Sequence, residues 1–140
     1  MGILKIELAT TIPMKISSTI HPIDNLIDRA LAYHNQGQLS EAEELYQQVL
    51  NLDPENCKIL NLLGYLYHQI GNPELAIELI GQAIFVDPEQ PYFYKTAGQV
   101  YFAIRNFEDA VDAFRQAIDL GDRSAENYDA LINALEAIDR

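Results

Sequence analysis

His34 and His68 are the residues whose type and spacing first suggest a chemical site. Each follows a tyrosine and they stand 34 residues apart, so a repeated structure would stack two imidazoles that could hold a metal. Packed helix axes lie about 8–10 Å apart, and the pattern places no cysteine or carboxylate pair nearby to complete a tetrahedral set. We expect no metal here. The two rings are either solvated or available as hydrogen-bond groups for a ligand.

The remaining reactive residues do not combine into a catalytic site. Cys57 is the only cysteine, so no internal disulfide is possible, and only Lys58 is near enough in sequence to lower the pKa of its thiol. The sequence contains no nucleophile with an attendant base, no glycine-rich phosphate loop and no metal-ligand spacing. We therefore predict that the protein is not an enzyme and uses no cofactor.

The charge of the chain limits its partners. Acidic residues number 21 and basic residues nine, which gives a net charge of −12. Such a surface repels phosphate backbones and anionic lipid headgroups, so we expect a protein or peptide partner, neutral or basic, and neither nucleic acid nor a membrane. No apolar run reaches the roughly 20 residues of a membrane span, and Lys5, Glu7 and Pro13 interrupt any secretory signal. The predicted location is cytoplasmic.

The elements that must position these residues form an internal repeat with a period of 34. Small residues recur in two columns and large apolar ones in others, as helix pairs that approach closely require. The columns are Ala30, Gly64 and Gly98; Tyr33, Tyr67 and Tyr101; Ala42, Ala76 and Ala110; Tyr46, Ile80 and Phe114; Val49, Ala83 and Ala117; and Asp53-Pro54 with Asp87-Pro88.

Helix start and stop signals agree with this period. Ser40 with Glu43 is typical of a capping box, Asn72 precedes a proline at the first helical position, and Asn106 with Asp109 marks another start. Glycine at 37 and 71 suits the end of a first helix. The predicted helices are 23–36, 40–51, 57–70, 73–86, 91–104, 107–119 and 124–138.

This pattern resembles the tetratricopeptide repeat (TPR), a 34-residue helix–turn–helix unit. The resemblance implies an all-α, right-handed α-solenoid with repeats at 23–56, 57–90 and 91–124, all within a domain of residues 21–140. Arg29, Arg105 and Asp122 depart from it, standing where an aliphatic residue, the turn glycine and a proline are expected.

The seventh helix, 124–138, is predicted to cap the array. Its apolar stripe would cover the third repeat, while its polar residues face water. The predicted stripe consists of Tyr128, Leu131, Ile132 and Leu135.

In the TPR family the first helix of each repeat offers side chains to a concave groove. The resemblance implies a peptide-binding groove with apolar anchors and hydrogen-bond groups at Ile27, Leu31, His34, Asn61, Tyr65, His68, Tyr92, Lys95, Gln99 and Phe102. The carboxylate clamp of co-chaperone members is missing, because its places hold Ile27, Leu31, Leu62, Tyr92 and Thr96. We therefore do not expect binding of chaperone C-termini.

Residues 1–20 fall outside the repeat. Leu4, Ile6 and Leu8 alternate with charged residues, so this N-terminal extension is either extended or disordered. The function that fits best is a non-catalytic scaffold that binds a peptide segment in the concave groove. The alternatives are a scaffold that self-associates through residues 1–12 or the groove, and the N-terminal TPR part of a larger bacterial transferase.

Overall fold

The structure is a computed structural model that describes residues 22–140. The extension predicted for residues 1–20, and any docking of residues 1–12, lie outside this range. Seven helices and no strand occur within the described residues, which confirms the predicted all-α helical-repeat fold. The helices are α1 (22–35), α2 (Leu39–Leu52), α3 (Cys57–Gln69), α4 (Pro73–Val86), α5 (Pro91–Ala103), α6 (Phe107–Asp119) and α7 (Ala125–Ile138).

These bounds agree with the predicted helices to within one residue. The limits drawn for the three repeats and for the cap stay a prediction. The chain divides into two compact units, one that runs to Pro54 and one from Glu55 to Arg140. Among residues 22–140 no helix has both the length and the apolar character needed to cross a membrane.

Asparagine side chains begin three of the helices. Asn56, Asn72 and Asn106 each accept a hydrogen bond from the backbone N–H three residues later, which satisfies a free donor of the first turn. The capping box predicted at Ser40 is wrong. Helix α2 begins one residue earlier, after Gln38, whose side chain makes no capping hydrogen bond.

Close helix pairing at the two repeat glycines organises the second unit. Gly64 of α3 faces the side chain of Ile80 on α4, and Gly98 of α5 faces the ring of Phe114 on α6. A Cβ atom at Gly64 would stand 2.7 Å from Cγ1 of Ile80, so any larger residue would push the helices apart. Ile80 and Phe114 are buried. The expected role of the small and large columns is confirmed here.

The turns inside the helix pairs share one backbone conformation. Gly37 and Gly71 have φ angles of 77° and 86°, and Arg105 occupies the corresponding place with φ 66°. This left-handed region favours glycine because it brings a Cβ close to the following carbonyl. The repeat therefore imposes the turn even where the sequence has arginine.

Helix α7 buries a different face from the predicted one. Asn127 and Ala134 are its buried residues, and Ala134 joins the cluster of Ala110, Val111 and Phe114 on α6. Of the stripe predicted to cover the third repeat, only Leu131 packs against this cluster. Tyr128, Ile132 and Leu135 are exposed. The prediction failed because small residues, Ala130 and Ala134, allow α7 to approach α6 where bulky ones would not.

Candidate functional site

The first part of the candidate groove lies on α3 and α5 of the second unit. Tyr65 and His68 lie one helical turn apart on α3, with ring centroids 6.0 Å apart. Tyr92 of α5 is about half exposed, and burial raises the pKa of its phenol. The nearby phenol of Tyr65 acts in the same direction and the ammonium of Lys95 acts against both. The structure thus brings Tyr65, Tyr92 and Lys95 together.

Lys95 is anchored by a residue that the sequence analysis missed. Its Nζ lies 3.0 Å from Oε2 of Glu126 on α7. The lysine side chain is 18% exposed and the glutamate 70% exposed, so a ligand can reach the carboxylate more easily than the ammonium. In the 34-residue register Glu126 follows Tyr92, so one further step of the period would have found it.

Phe102 stands at the second part of the groove, where α5 ends. Its ring meets the ring of Phe107 edge-on, with centroids 5.2 Å apart, and the Arg105 guanidinium lies 5.6 Å from the centre of Phe107. A cavity of about 530 Å³ opens beside these rings. It is lined by Phe102, Ala103, Arg105, Phe107, Asn133, Glu136, Ala137 and Arg140.

A smaller cavity of about 180 Å³ lies on the other side of Phe102. Gln99, Phe114, Ala130 and Asn133 complete its lining. Asn133 and Glu136 follow Gln99 and Phe102 by 34 residues, so α7 continues the row of groove positions of α3 and α5. Sequence analysis assigned these two residues to a solvated cap and thereby missed their place in the groove.

Asn61 differs from the other predicted groove residues. Its side chain is completely buried, and neither Oδ1 nor Nδ2 has a hydrogen-bond partner within the described part of the chain. An amide left in this state destabilises a fold by about 1–3 kcal/mol. As the structure stands, Asn61 does not offer its amide to a ligand on the surface.

His68 keeps part of its surface accessible. Burial lowers the pKa of its imidazole below the usual value of 6.5, which favours the neutral ring. A neutral imidazole carries one donor and one acceptor. His68 is therefore suited to hydrogen bonding at neutral pH.

The remaining predicted site residues, Ile27, Leu31 and His34, belong to the first unit. All three are partly buried on α1. Nδ1 of His34 shares a hydrogen bond of 2.9 Å with the hydroxyl of Tyr46 on α2, and the two rings meet edge-on. His34 thus has a structural role inside its own helix pair. Across residues 22–140 no group of three or more His, Cys, Asp or Glu side chains could hold a metal ion.

Comparison with known proteins assigns the family. The profile of the TPR repeat matches residues 30–71, and that of the tetratricopeptide repeat matches residues 71–125 and 95–138. The chain belongs to the tetratricopeptide-repeat family. Members of this family are helical scaffolds for protein–protein interaction, and this TPR protein has their architecture. No curated protein sequence matches it.

Solved structures agree with this assignment. The first TPR of Spaghetti (RPAP3) bound to the HSP90 peptide SRMEEVD superimposes with a TM-score of 0.80 at 19% identity, over 84% of this chain and 94% of that one. The Sgt2 TPR domain from Aspergillus fumigatus gives 0.79 at 24% identity, over 84% and 79%. A Thermobaculum terrenum O-GlcNAc transferase gives 0.77 at 27% identity, over 81% of this chain but 22% of the transferase.

Proposed function

We propose that this TPR protein binds an extended or helical peptide segment of a partner along the groove of α3, α5 and α7. The observation that carries the proposal is Phe102, a half-exposed aromatic side chain held edge-on by Phe107 between two cavities. Aromatic residues next to such pockets are the usual hot spots of protein interfaces.

The groove has two zones with different chemistry. At one end Tyr65, His68 and Tyr92 offer aromatic surface with hydrogen-bonding groups. At the other end the cavity beside Phe102 accepts an apolar side chain of the peptide. Lys95 and Glu126 lie between the zones as an ion pair.

The partner we propose is a neutral or basic peptide with an aromatic or large aliphatic anchor. Support comes from the acidic surface of the chain and from the exposed carboxylates of Glu126 and Glu136 at the groove. An acidic peptide such as SRMEEVD, which RPAP3 binds, is not expected to bind. At one place where co-chaperones have a clamp residue, Thr96 is buried and donates its hydroxyl to the carbonyl of Tyr92.

A library of synthetic peptides tests this proposal on the full chain. Peptides selected by the wild type should lose affinity for the Phe102→Ala variant by about 1–3 kcal/mol, the range for aromatic hot spots. The matched control is Phe85→Ala, because Phe85 on α4 is 88% exposed and lies away from the groove. Equal loss in both variants, or selection of acidic peptides that Phe102→Ala retains, would contradict the proposal.

A further inference from the structure

Helix α7 repeats the position of α3 and α5 in the 34-residue register. Ile132 follows Gly64 and Gly98, and Leu135 follows Tyr67 and Tyr101. On α3 and α5 the face that carries the glycine is covered by the next helix, through Ile80 and Phe114 respectively. Helix α7 packs on α6 through its other face. The face equivalent to the glycine face is therefore its free surface in the described chain.

That free surface is apolar. Tyr128, Ile132 and Leu135 follow the spacing of one helix face and are 41%, 51% and 37% exposed, and Ile138 beside them is 41% exposed. Four large side chains in a continuous stripe with polar residues at its edge are typical of an interaction site rather than of a solvated helix.

Isoleucine at position 132 changes what can lie on this stripe. At Gly98 the facing ring of Phe114 fills the space that a Cβ atom would need, with only 2.5 Å between them. Ile132 fills that space from its own side and turns the notch into a ridge. A helix packed here must therefore present a groove of small residues opposite Ile132.

The charges along the stripe select the kind of helix. Helix α7 contains Glu126, Asp129 and Glu136 and no lysine or arginine. A second copy of α7 in antiparallel pairing about Ile132 would bring Asp129 of one copy near Glu136 of the other, and such like-charge contacts oppose association. Lysine or arginine residues at the edges of a partner helix would instead be attracted.

We propose that Tyr128, Ile132, Leu135 and Ile138 form a docking surface, here called the α7 stripe, for a basic amphipathic helix of a partner protein. This surface is separate from the groove, whose residues on α7 are Glu126, Asn133 and Glu136. The chain thus presents two interaction faces, and the α7 stripe does not depend on peptide binding in the groove.

The test uses a fluorescent amphipathic peptide about 18 residues long, enough for a stable helix, with leucine and alanine on one face and lysine on the other. A second peptide carries glutamate in place of lysine. The lysine peptide should bind the full chain and the glutamate peptide should not. Ile132→Glu should weaken binding at least about tenfold, whereas Phe102→Ala in the groove should leave it unchanged.

Ile70→Glu is the matched control, because Ile70 is 50% exposed at the end of α3 and the variant introduces the same charge. Equal binding to both glutamate variants and to the wild type would reduce the effect to attraction by the acidic surface and overturn the proposal. Tyr128→Ser provides a second variant of the stripe and should weaken the lysine peptide as well. Sedimentation must show a monomer; a dimer that Ile132→Glu dissociates would identify a second copy as the occupant and overturn the proposal.

Discussion

Gly98 of α5 lies directly against the ring of Phe114 on α6. A Cβ atom at Gly98 would stand 2.5 Å from Cε1 of Phe114, 2.7 Å from Cδ1 and 2.8 Å from Cζ. Phe114 is itself buried in the cluster that joins α6 to α7. The ring cannot yield without disturbing the neighbouring helix, so the glycine sets the distance between α5 and α6.

Substitution of this glycine should therefore destabilise the protein. We expect Gly98→Ala to lower the free energy of unfolding by about 1–3 kcal/mol, the usual effect of overpacking, although alanine favours helix more than glycine does. Gly81→Ala is the control, because nothing lies within 4 Å of its Cβ position on α4; it should stabilise by about 0.5–1 kcal/mol. Urea denaturation measures both. A Gly98→Ala variant as stable as Gly81→Ala would show that the helices separate without cost.

The sequence predicted this contact because both residues belong to columns of the repeat. Period 34 fixes which small residue meets which large one, and Gly64 with Ile80 follows the same rule. Column arguments succeed where the partner helix is part of the repeat. They failed on α7, where no following helix is described and where Ala130 and Ala134 set the packing instead.

The candidate site could be predicted only in part. The register named Tyr65, Tyr92 and Phe102, and one further step would have added Glu126, Asn133 and Glu136 on α7. The burial of Asn61 could not be predicted, because helical spacing gives the direction of a side chain but not what covers it. The hydrogen bond between His34 and Tyr46 likewise depends on side-chain rotamers.

Asn61 gives a prediction that separates folding from binding. Neither of its amide atoms has a partner in the described structure, so Asn61→Leu, of similar size, should raise the free energy of unfolding by up to about 1–3 kcal/mol. Peptide affinity should stay unchanged. Loss of peptide affinity with unchanged stability would mean that the amide becomes available to the ligand.

Asn127→Leu serves as the contrast to this variant. Asn127 is equally buried, but its Nδ2 donates to the carbonyl oxygen of Asp122 at 3.0 Å. Removal of the donor leaves that carbonyl without this hydrogen bond, so Asn127→Leu should destabilise by about 1 kcal/mol. Thermal denaturation of the two variants side by side distinguishes an amide with a role from one without.

Arg105 tests the cost of the left-handed turn. Its φ of 66° is a conformation that glycine adopts freely, so Arg105→Gly should relieve about 1 kcal/mol of backbone strain. Loss of the contact with the Phe107 ring offsets about 0.5 kcal/mol of this gain. Arg115→Gly, in the interior of α6, should instead cost about 1 kcal/mol. Equal destabilisation by both substitutions would show that the arginine is unstrained.

His68 should make the stability of the protein depend on mild acid. Burial lowers the pKa of its imidazole in the folded state below 6.5, so the unfolded chain binds a proton at a pH where the folded chain does not. Stability attributable to His68 is therefore complete above pH 6.5 and is lost as the pH falls toward the lowered folded pKa. Melting temperatures of the wild type and of His68→Gln, measured at about pH 7.5 and about pH 5.5, isolate this contribution, because the 21 acidic residues are common to both chains. The wild type should lose more stability than His68→Gln between the two pH values. An equal loss would mean that the imidazole titrates alike in both states, and the neutral ring proposed for peptide binding would then need direct measurement by the chemical shift of its Cε1 proton.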